Sequence, residues 1–415
     1  MTVTDRTTTS TTDHSATNRS AIRRLAVARL VSIAGSGAAS VALAYVIYQR
    51  TGSALWLSAL YLLTFGVMGF VNPFAGALAD RVDRRRLMIA SEVLGALPWA
   101  ALVFARAPWL MITLAFLGAF AHSPFPAASG AAIPNLAAPE DLAWANSLIS
   151  IGRNLGGVGG AALGGVLVAF LGGPVTFGLN AVSFLFSAAL IWSATGSYTS
   201  AAADDEGEFK GLGAGLRHVL ASPILLPILG GSTIMWFAMN VAIPADAPLA
   251  RHFGVGSIGF GVLDAAFGVG AILGALLARR LTRRLEPAVL LTGAFGVVVG
   301  WGIVGLTPVF GFVLVGQAVT ALVDNAGAVA SDNVVQRLCP DAIRGRVYAV
   351  IMTAGCAVSV VAFAGAGFLI NALGPQGVYL LGAAASVAGG LVMVPGVLKL
   401  RRSTLSAAAT EGGVG

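Results

Sequence analysis

The sequence predicts an all-α polytopic membrane protein, twelve transmembrane helices arranged as two similar six-helix bundles. Composition is the first observation behind this. Of 415 residues 57% are hydrophobic and 54 more are glycine, together about 70% where a soluble domain has about 45–50%. Charged residues make up 10%, and the mean hydropathy is +0.84. The second observation is spacing: the few charges are bunched, leaving apolar runs near the ~20 residues that a ~30 Å hydrocarbon core requires. The third is an internal repeat, set out below. Glycine and 17 prolines are scattered through helix-length segments without period-2 alternation, which argues against a membrane β-barrel. A soluble enzyme, a nucleic-acid binder and a disulfide scaffold are excluded as well. The net charge of +7 is small and dispersed, and the two cysteines, Cys339 and Cys356, read as packing residues rather than a bridge.

The elements follow in order. Residues 1–20 are polar and rich in Thr and Ser and are expected to be a disordered cytoplasmic tail, with no apolar stretch of a signal peptide. An N-terminal bundle is expected over 21–195, with spans at 25–48, 54–78, 87–105, 109–131, 143–170 and 174–195. A cytoplasmic linker, acidic then basic, occupies 196–221. The C-terminal bundle covers 222–400, with spans at 222–249, 258–278, 287–306, 309–331, 346–371 and 376–398, and 401–415 forms a second cytoplasmic tail.

Lysine and arginine set the orientation, because short positively charged loops stay cytoplasmic. With the N-terminus inside, twenty of the 25 fall on the cytoplasmic side, among them Arg81 to Arg86 and Arg279 to Arg284. The outer loops keep Arg50, Arg106 and Arg251, while Arg29 and Arg153 lie within spans. Both termini are therefore expected in the cytoplasm.

The two halves resemble each other. Span two ends in Gly76-Ala-Leu-Ala-Asp80-Arg81-Val-Asp83-Arg84-Arg85, and span eight ends in Gly274-Ala-Leu-Leu-Ala278-Arg279-Arg280-Leu-Thr-Arg283-Arg284, 198 positions later. Pro139-Glu140-Asp141-Leu142 after span four matches Pro340-Asp341-Ala342-Ile343 after span ten, 201 positions later. Parallel six-helix repeats related by an axis along the membrane normal enclose a central cavity.

The Gly-x-x-x-Asp-Arg-x-x-Arg-Arg loop between spans two and three resembles the signature of the major facilitator superfamily, over about residues 22–400. Within it the chain is similar to bacterial exporters of the enterobactin (siderophore) and macrolide efflux group. The residues that carry this are Ala28 to Ile33, Gly76 to Arg86, Ser150 to Arg153, Ile258 to Phe260 and Arg344 to Val347. The resemblance implies that Asp80 meets the N-terminus of span eleven, where the helix dipole favours an anion by about 0.3–1 kcal/mol. Asp80, Arg84 and Arg85, with Gly76 admitting a close backbone, would then latch the halves shut at the cytoplasmic gate. Gly274, Arg279 and Arg283 are the corresponding positions of the second copy. Ala278 replaces the aspartate there, so the latch is asymmetric. Asp83 stands where the pattern often has a small residue, and Gly35 is followed by Ser36 where related exporters often carry an aspartate.

Ionisable residues inside spans mark pathways, since a charge at mid-bilayer costs about 2.5–3.5 kcal/mol on insertion scales. Arg153, ten residues and so about 15 Å into span five, is expected near the midplane. It reads either as a buried arginine pairing helices or as a cavity contact for an anion or substrate. Arg29 reads as a snorkelling side chain or a gate residue. A proton-coupled exporter needs a sheltered carboxylate that loads and releases protons, and Asp264 and Asp324 are the best candidates. Asp246 is expected at the outer vestibule beside Arg251, Glu92 as a loop-facing partner of arginines, Asp332 in solvent, and His122 as a polar packing residue. The glycines of span five fit close helix packing. A loose Gly157-x-Gly159-x-x-Ala162 pattern follows no strand and does not read as a nucleotide site. No Walker A motif or metal-ligand spacing occurs.

The expected function is secondary active transport by alternating access, a proton-driven exporter of drugs, macrolides or siderophores in a bacterial-type inner membrane. No cofactor is expected, the proton gradient supplying energy. The expected partners are an amphipathic small molecule and the lipid bilayer, with no nucleic acid and the chain acting as a monomer. The alternatives are a proton-coupled nutrient importer and a transport-inactive membrane receptor or partner subunit. No enzymatic activity is expected.

Overall fold

A computed structural model describes residues 17–196, 198 and 212–411. Residues 1–16 of the predicted tail, most of the 196–221 linker, and 412–415 lie outside the described residues. Every regular element among the described residues is helical. We label the long helices α1 (Arg19–Thr51), α2 (Ala54–Arg81), α3 (Arg84–Leu102), α4 (Pro108–Leu136), α5 (142–171), α6 (173–193), α7 (Leu225–His252), α8 (Gly256–Ala278), α9 (Glu286–Leu306), α10 (Phe310–Leu338), α11 (341–373) and α12 (375–411). A short helix, Leu212–Ala221, precedes α7. Among the described residues 9 helical stretches are long and apolar enough to cross a bilayer. Two of these contain a sharp reversal and hold two passages each, and α3, too arginine-rich at its start for that criterion, adds another. The set is compatible with twelve passages.

Local chemistry explains the boundaries. The Asn18 side chain caps α1 by accepting from Ala21 N at 3.0 Å, while its own N–H donates to Leu136 O at 2.9 Å. Residues 17 and 18 are thereby tied to the bundle. Asp83, the departure from the family pattern, is the N-cap of α3 and accepts from Arg86 N at 2.8 Å. A carboxylate there satisfies a helix N–H that would otherwise lack a partner. At the far end α12 continues to Glu411, through residues that the sequence places in a tail.

The two reversals are the clearest trace of the repeat. Between α5 and α6 the chain turns at Gly172 (φ 81°, ψ 164°) and continues through Pro174. Between α11 and α12 it turns at Gly374 (φ 74°, ψ 168°), followed by Pro375. This backbone region is open essentially to glycine alone. The two glycines are 202 positions apart, close to the offsets of the sequence repeat.

Helix packing runs through small residues. Along α1 and α5, a Cβ added at Gly152 would lie 3.1 Å from Ala26 O, one at Gly156 2.8 Å from Leu30 O, and those at Gly160 and Gly164 2.5 Å from the carbonyls of Ala34 and Ala38. Four glycines at a four-residue spacing make one stripe of the helix, and the partner backbone lies in it. In the other half a Cβ at Gly396 of α12 would lie 2.7 Å from Ile224 O, just before α7. Two seams join the halves. On one, α5 meets α8, where Ser257 Oγ donates to Gly165 O at 3.0 Å and a Cβ at Gly261 would lie 2.8 Å from Ala161 O. On the other, α2 meets α11, where a Cβ at Gly367 would lie 2.8 Å from Leu55 Cα. The pairs α5–α8 and α11–α2 correspond under the repeat.

Two polar clusters hold the bundles internally. Glu92 of α3 is fully buried and accepts from Ser187 Oγ of α6 at 2.7 Å and Ser32 Oγ of α1 at 3.3 Å, with His122 Nε2 of α4 3.8 Å away. His122 is itself stacked between Phe125 and Phe184, at 5.1 and 4.9 Å between centroids. This corrects the loop-facing expectation for Glu92: α3 turns this face inward, so its carboxylate joins four helices. In the second half Arg337 of α10 donates to both carboxylate oxygens of Glu286 at the start of α9, at 3.0 and 2.5 Å.

Glu92→Ala leaves Ser32 and Ser187 without their shared acceptor and is expected to destabilise the protein by about 2–4 kcal/mol, while Glu92→Gln loses less. Chemical unfolding in detergent micelles measures the difference. By the same assay Gly172→Ala and Gly374→Ala are each expected to cost about 1–3 kcal/mol. Gly365→Ala, where a Cβ meets no atom within 4 Å, is expected to cost nothing measurable.

Candidate functional site

Between the halves lies a cavity of about 940 Å³, lined by residues of α1, α2, α5 and α7 to α12 and of the short helix Leu212–Ala221. Its walls are mostly apolar, with Leu229, Met235, Trp236, Met239, Phe267 and Ile351 among them. Ligand cavities of roughly 300–1,000 Å³ with apolar walls and a few polar points suit drug-sized molecules.

The cavity is closed at one end. There Ser257 is bonded to Gly165, Arg251 of α7 lies over the Tyr48 ring of α1 at 5.7 Å, and Tyr61 of α2 stacks on Phe363 of α11 at 5.9 Å. Each of these contacts joins one half to the other. At the arginine-rich end, two arginines of the 80–86 loop hold carbonyls of their own half. Arg84 donates to Ala131 O at 2.9 Å, and Arg85 donates to Ile191 O at 3.3 Å and to Trp192 O. Asp80 is exposed, and among the described residues no hydrogen bond or ion pair holds it. A Cβ at Gly76 would meet nothing within 4 Å, whereas Gly274 abuts the Leu322 carbonyl of its own half. Arg279 and Arg283 are exposed.

The predicted acids converge on the cavity. Asp246, Asp264 and Asp324 all line it. Asp246 is buried at 7% exposure, not at an outer rim beside Arg251. It follows a tighter helical turn, Ile243–Ala245, that contains Pro244. The Tyr379 hydroxyl of α12 donates to Asp246 Oδ1, and Gln317 Nε2 of α10 reaches the same oxygen at 3.3 Å and the Tyr379 oxygen at 3.2 Å. Trp301 packs edge-on against Tyr379 at 6.1 Å. Asp264 lies within coulombic reach of Asp246, and Tyr61 within reach of both. Two carboxylates, two phenols and an amide therefore share the closed end. Asp324 stands seven residues after Gln317, two turns along the same face of α10, and Asp332 is exposed further towards the open end.

Gln317, Tyr61 and Tyr379 escape the sequence reading because uncharged polar groups in an apolar span carry little weight individually. The signal that points to Gln317 is its seven-residue spacing from Asp324, and a buried tyrosine hydroxyl normally has a partner. Arg153 is exposed rather than buried, and Arg29 is half-buried. At 30 residues α5 is about 45 Å long. Arg153 therefore lies short of its middle, on the open side.

A family profile described as transmembrane secretion effector matches residues 11–409. The multidrug efflux pump Tap of Mycolicibacterium fortuitum is 29% identical over 390 residues, covering 87% of this chain and 88% of that protein. The enterobactin exporter EntS of Escherichia coli (strain 536) is 28% identical over 326 residues, covering 76% of this chain and 77% of that protein. The solved structure of the nucleoside transporter NupG matches with a TM-score of 0.71 at 14% identity, over 91% of this chain and 98% of that one, a likeness of fold. With twin reversals, paired seams and a cavity between the halves, and with the family matched along nearly its whole length, the chain belongs to the transmembrane secretion effector family, a group of membrane transporters of the major facilitator superfamily.

Proposed function

We propose that this chain exports amphipathic small molecules, of the drug, macrolide or siderophore kind, by alternating access in exchange for protons. The observation that carries the reading is the mostly apolar cavity with Asp246 and Asp264 at its closed end. Apolar walls accept varied ligands with little demand for matched hydrogen bonds, whereas a nutrient site is dense in polar contacts. The arginine-rich end is assigned to the cytoplasm, with both termini, in a bacterial-type plasma membrane. On that assignment the structure is inward-facing, and the molecule enters from the cytoplasm or inner leaflet.

Two carboxylates in one dry pocket cannot both carry charge cheaply, so the pair holds a proton when shielded and yields it when water reaches it. Tyr379 and Gln317 supply hydrogen bonds to Asp246 and none to Asp264. In the proposed cycle Asp264 is the more mobile proton carrier, and Asp324 relays protons towards the open end. One charge crossing 100 mV supplies about 2.3 kcal/mol, more than the 1.4 kcal/mol of a tenfold gradient. The chain itself then needs no cofactor.

Efflux of dyes, macrolides and siderophores from loaded proteoliposomes, with and without a pH gradient, tests this. Wild type is expected to respond to the gradient, and Asp264→Asn to lower gradient-driven efflux to about a tenth or less, because the carboxylate that carries the proton is gone. Asp324→Asn is expected to slow it by less. Gradient-driven efflux unaltered in both variants overturns proton coupling at these residues.

A further inference from the structure

The two arginines within spans stand apart from the carboxylate cluster, and their placement has its own physical reading. The α1 and α5 backbones touch through the glycine stripe, and where Gly37 faces α5 a Cβ would lie 3.4 Å from Ala161 N and 3.5 Å from Gly157 O. Gly37, Gly157 and Ala161 all line the cavity. Arg153 stands one helical turn from Gly157 towards the open end. Arg29 stands two turns from Gly37 in the same direction. The helices run in the same direction, so both arginines lie on the open side of the cavity-lining Gly37 and Gly157, within coulombic reach of each other.

Neither has an anionic partner among the described residues. The ion pairs found there join Arg19 with Asp141, His122 with Glu92 and Arg337 with Glu286. Arg29 Nε is buried with no hydrogen-bond acceptor, and Arg153 is exposed with none. Snorkelling to lipid phosphates, the ordinary reason for an arginine near a helix end, leaves Nε facing headgroups and water rather than enclosed by protein. Two like charges held together in a poorly screened site repel, and an anion between them relieves that repulsion. Arginine's planar fork suits a bidentate oxyanion.

We propose that Arg29 and Arg153 together form a receiving site for the oxyanion, carboxylate or phosphate, of an amphipathic molecule at the open mouth of the cavity. Its apolar part would lie along the cavity wall beyond Gly157. The site selects anionic over neutral forms of otherwise similar amphiphiles. It rests on the cavity being the transport pathway, but binding is read without transport, so the two ideas fail separately.

The test is fluorescence titration of the protein in phosphatidylcholine nanodiscs with dansyl-undecanoic acid and with its uncharged methyl ester. The acid is expected to bind about tenfold more tightly than the ester, by charge-assisted hydrogen bonds. Arg29→Gln and Arg153→Gln are each expected to remove most of that preference while leaving ester affinity unchanged, which also shows that the variants are folded. Arg153→Lys is expected to retain part of it. Equal affinity of acid and ester for wild type, or a preference untouched by both glutamine variants, overturns the oxyanion site. Absence of binding by both probes tells instead against the cavity as an amphiphile pathway, and removes this site with it. A second set of discs, with about a fifth of the lipid as phosphatidylglycerol, identifies the source of the oxyanion. Weaker acid binding there for wild type but not for the glutamine variants supports the site with a lipid phosphate as occupant. Unchanged binding supports it with the free amphiphile as occupant.

Discussion

In a bilayer, lipid tails are as apolar as leucine, so helices are not driven together by hiding from solvent, and what remains is close contact of backbones. That constraint shapes this protein. Its 54 glycines are used chiefly where one helix lies in the groove of another: Gly152 to Gly164 against α1, Gly396 beside the start of α7, Gly261 and Gly367 at the seams between halves. Replacing such contacts with larger side chains would push helices apart. The polar groups would then lose the distances at which they meet.

The two seams explain how the halves move relative to one another. Both run along helix pairs that correspond under the repeat, and the contacts that close them, from Ser257 to Gly165 and from Tyr61 to Phe363, lie at one end. Small flat surfaces slide or tilt with little interlocking, while each half is stiffened by its own buried cluster, Glu92 with His122 in one and Glu286 with Arg337 in the other. Rigid halves on smooth seams favour rocking over internal deformation.

Much of this was legible in the sequence. Composition and apolar run length decide the environment, and arginine placement together with the two matching stretches predicts the repeat that Gly172 and Gly374 display in three dimensions. Asp264 and Asp324 were legible because a carboxylate in an apolar run is conspicuous. Side-chain direction was not. Glu92 sits near the start of its span, where a loop-facing role is the simpler reading, but helical rotation turns it onto Ser32 and Ser187. The depth of Arg153 was legible to within about a turn, but not the side of α5 it faces, which leaves it exposed. Asp246 was visible as a candidate, but its meeting with Gln317 and Tyr379 of other helices was not.

The central claim is that the halves rock about these seams so that one end opens as the other closes. It is tested most directly by distances between paired spin labels in a protein lacking Cys339 and Cys356, one pair at Arg86 and Arg283 and the other at Arg106 and Val309. Neutralising Asp246 and Asp264 by asparagine, or acidifying the medium, is predicted to change the two distances in opposite directions. Both pairs moving together, or neither moving while the labelled protein still transports, would contradict the account.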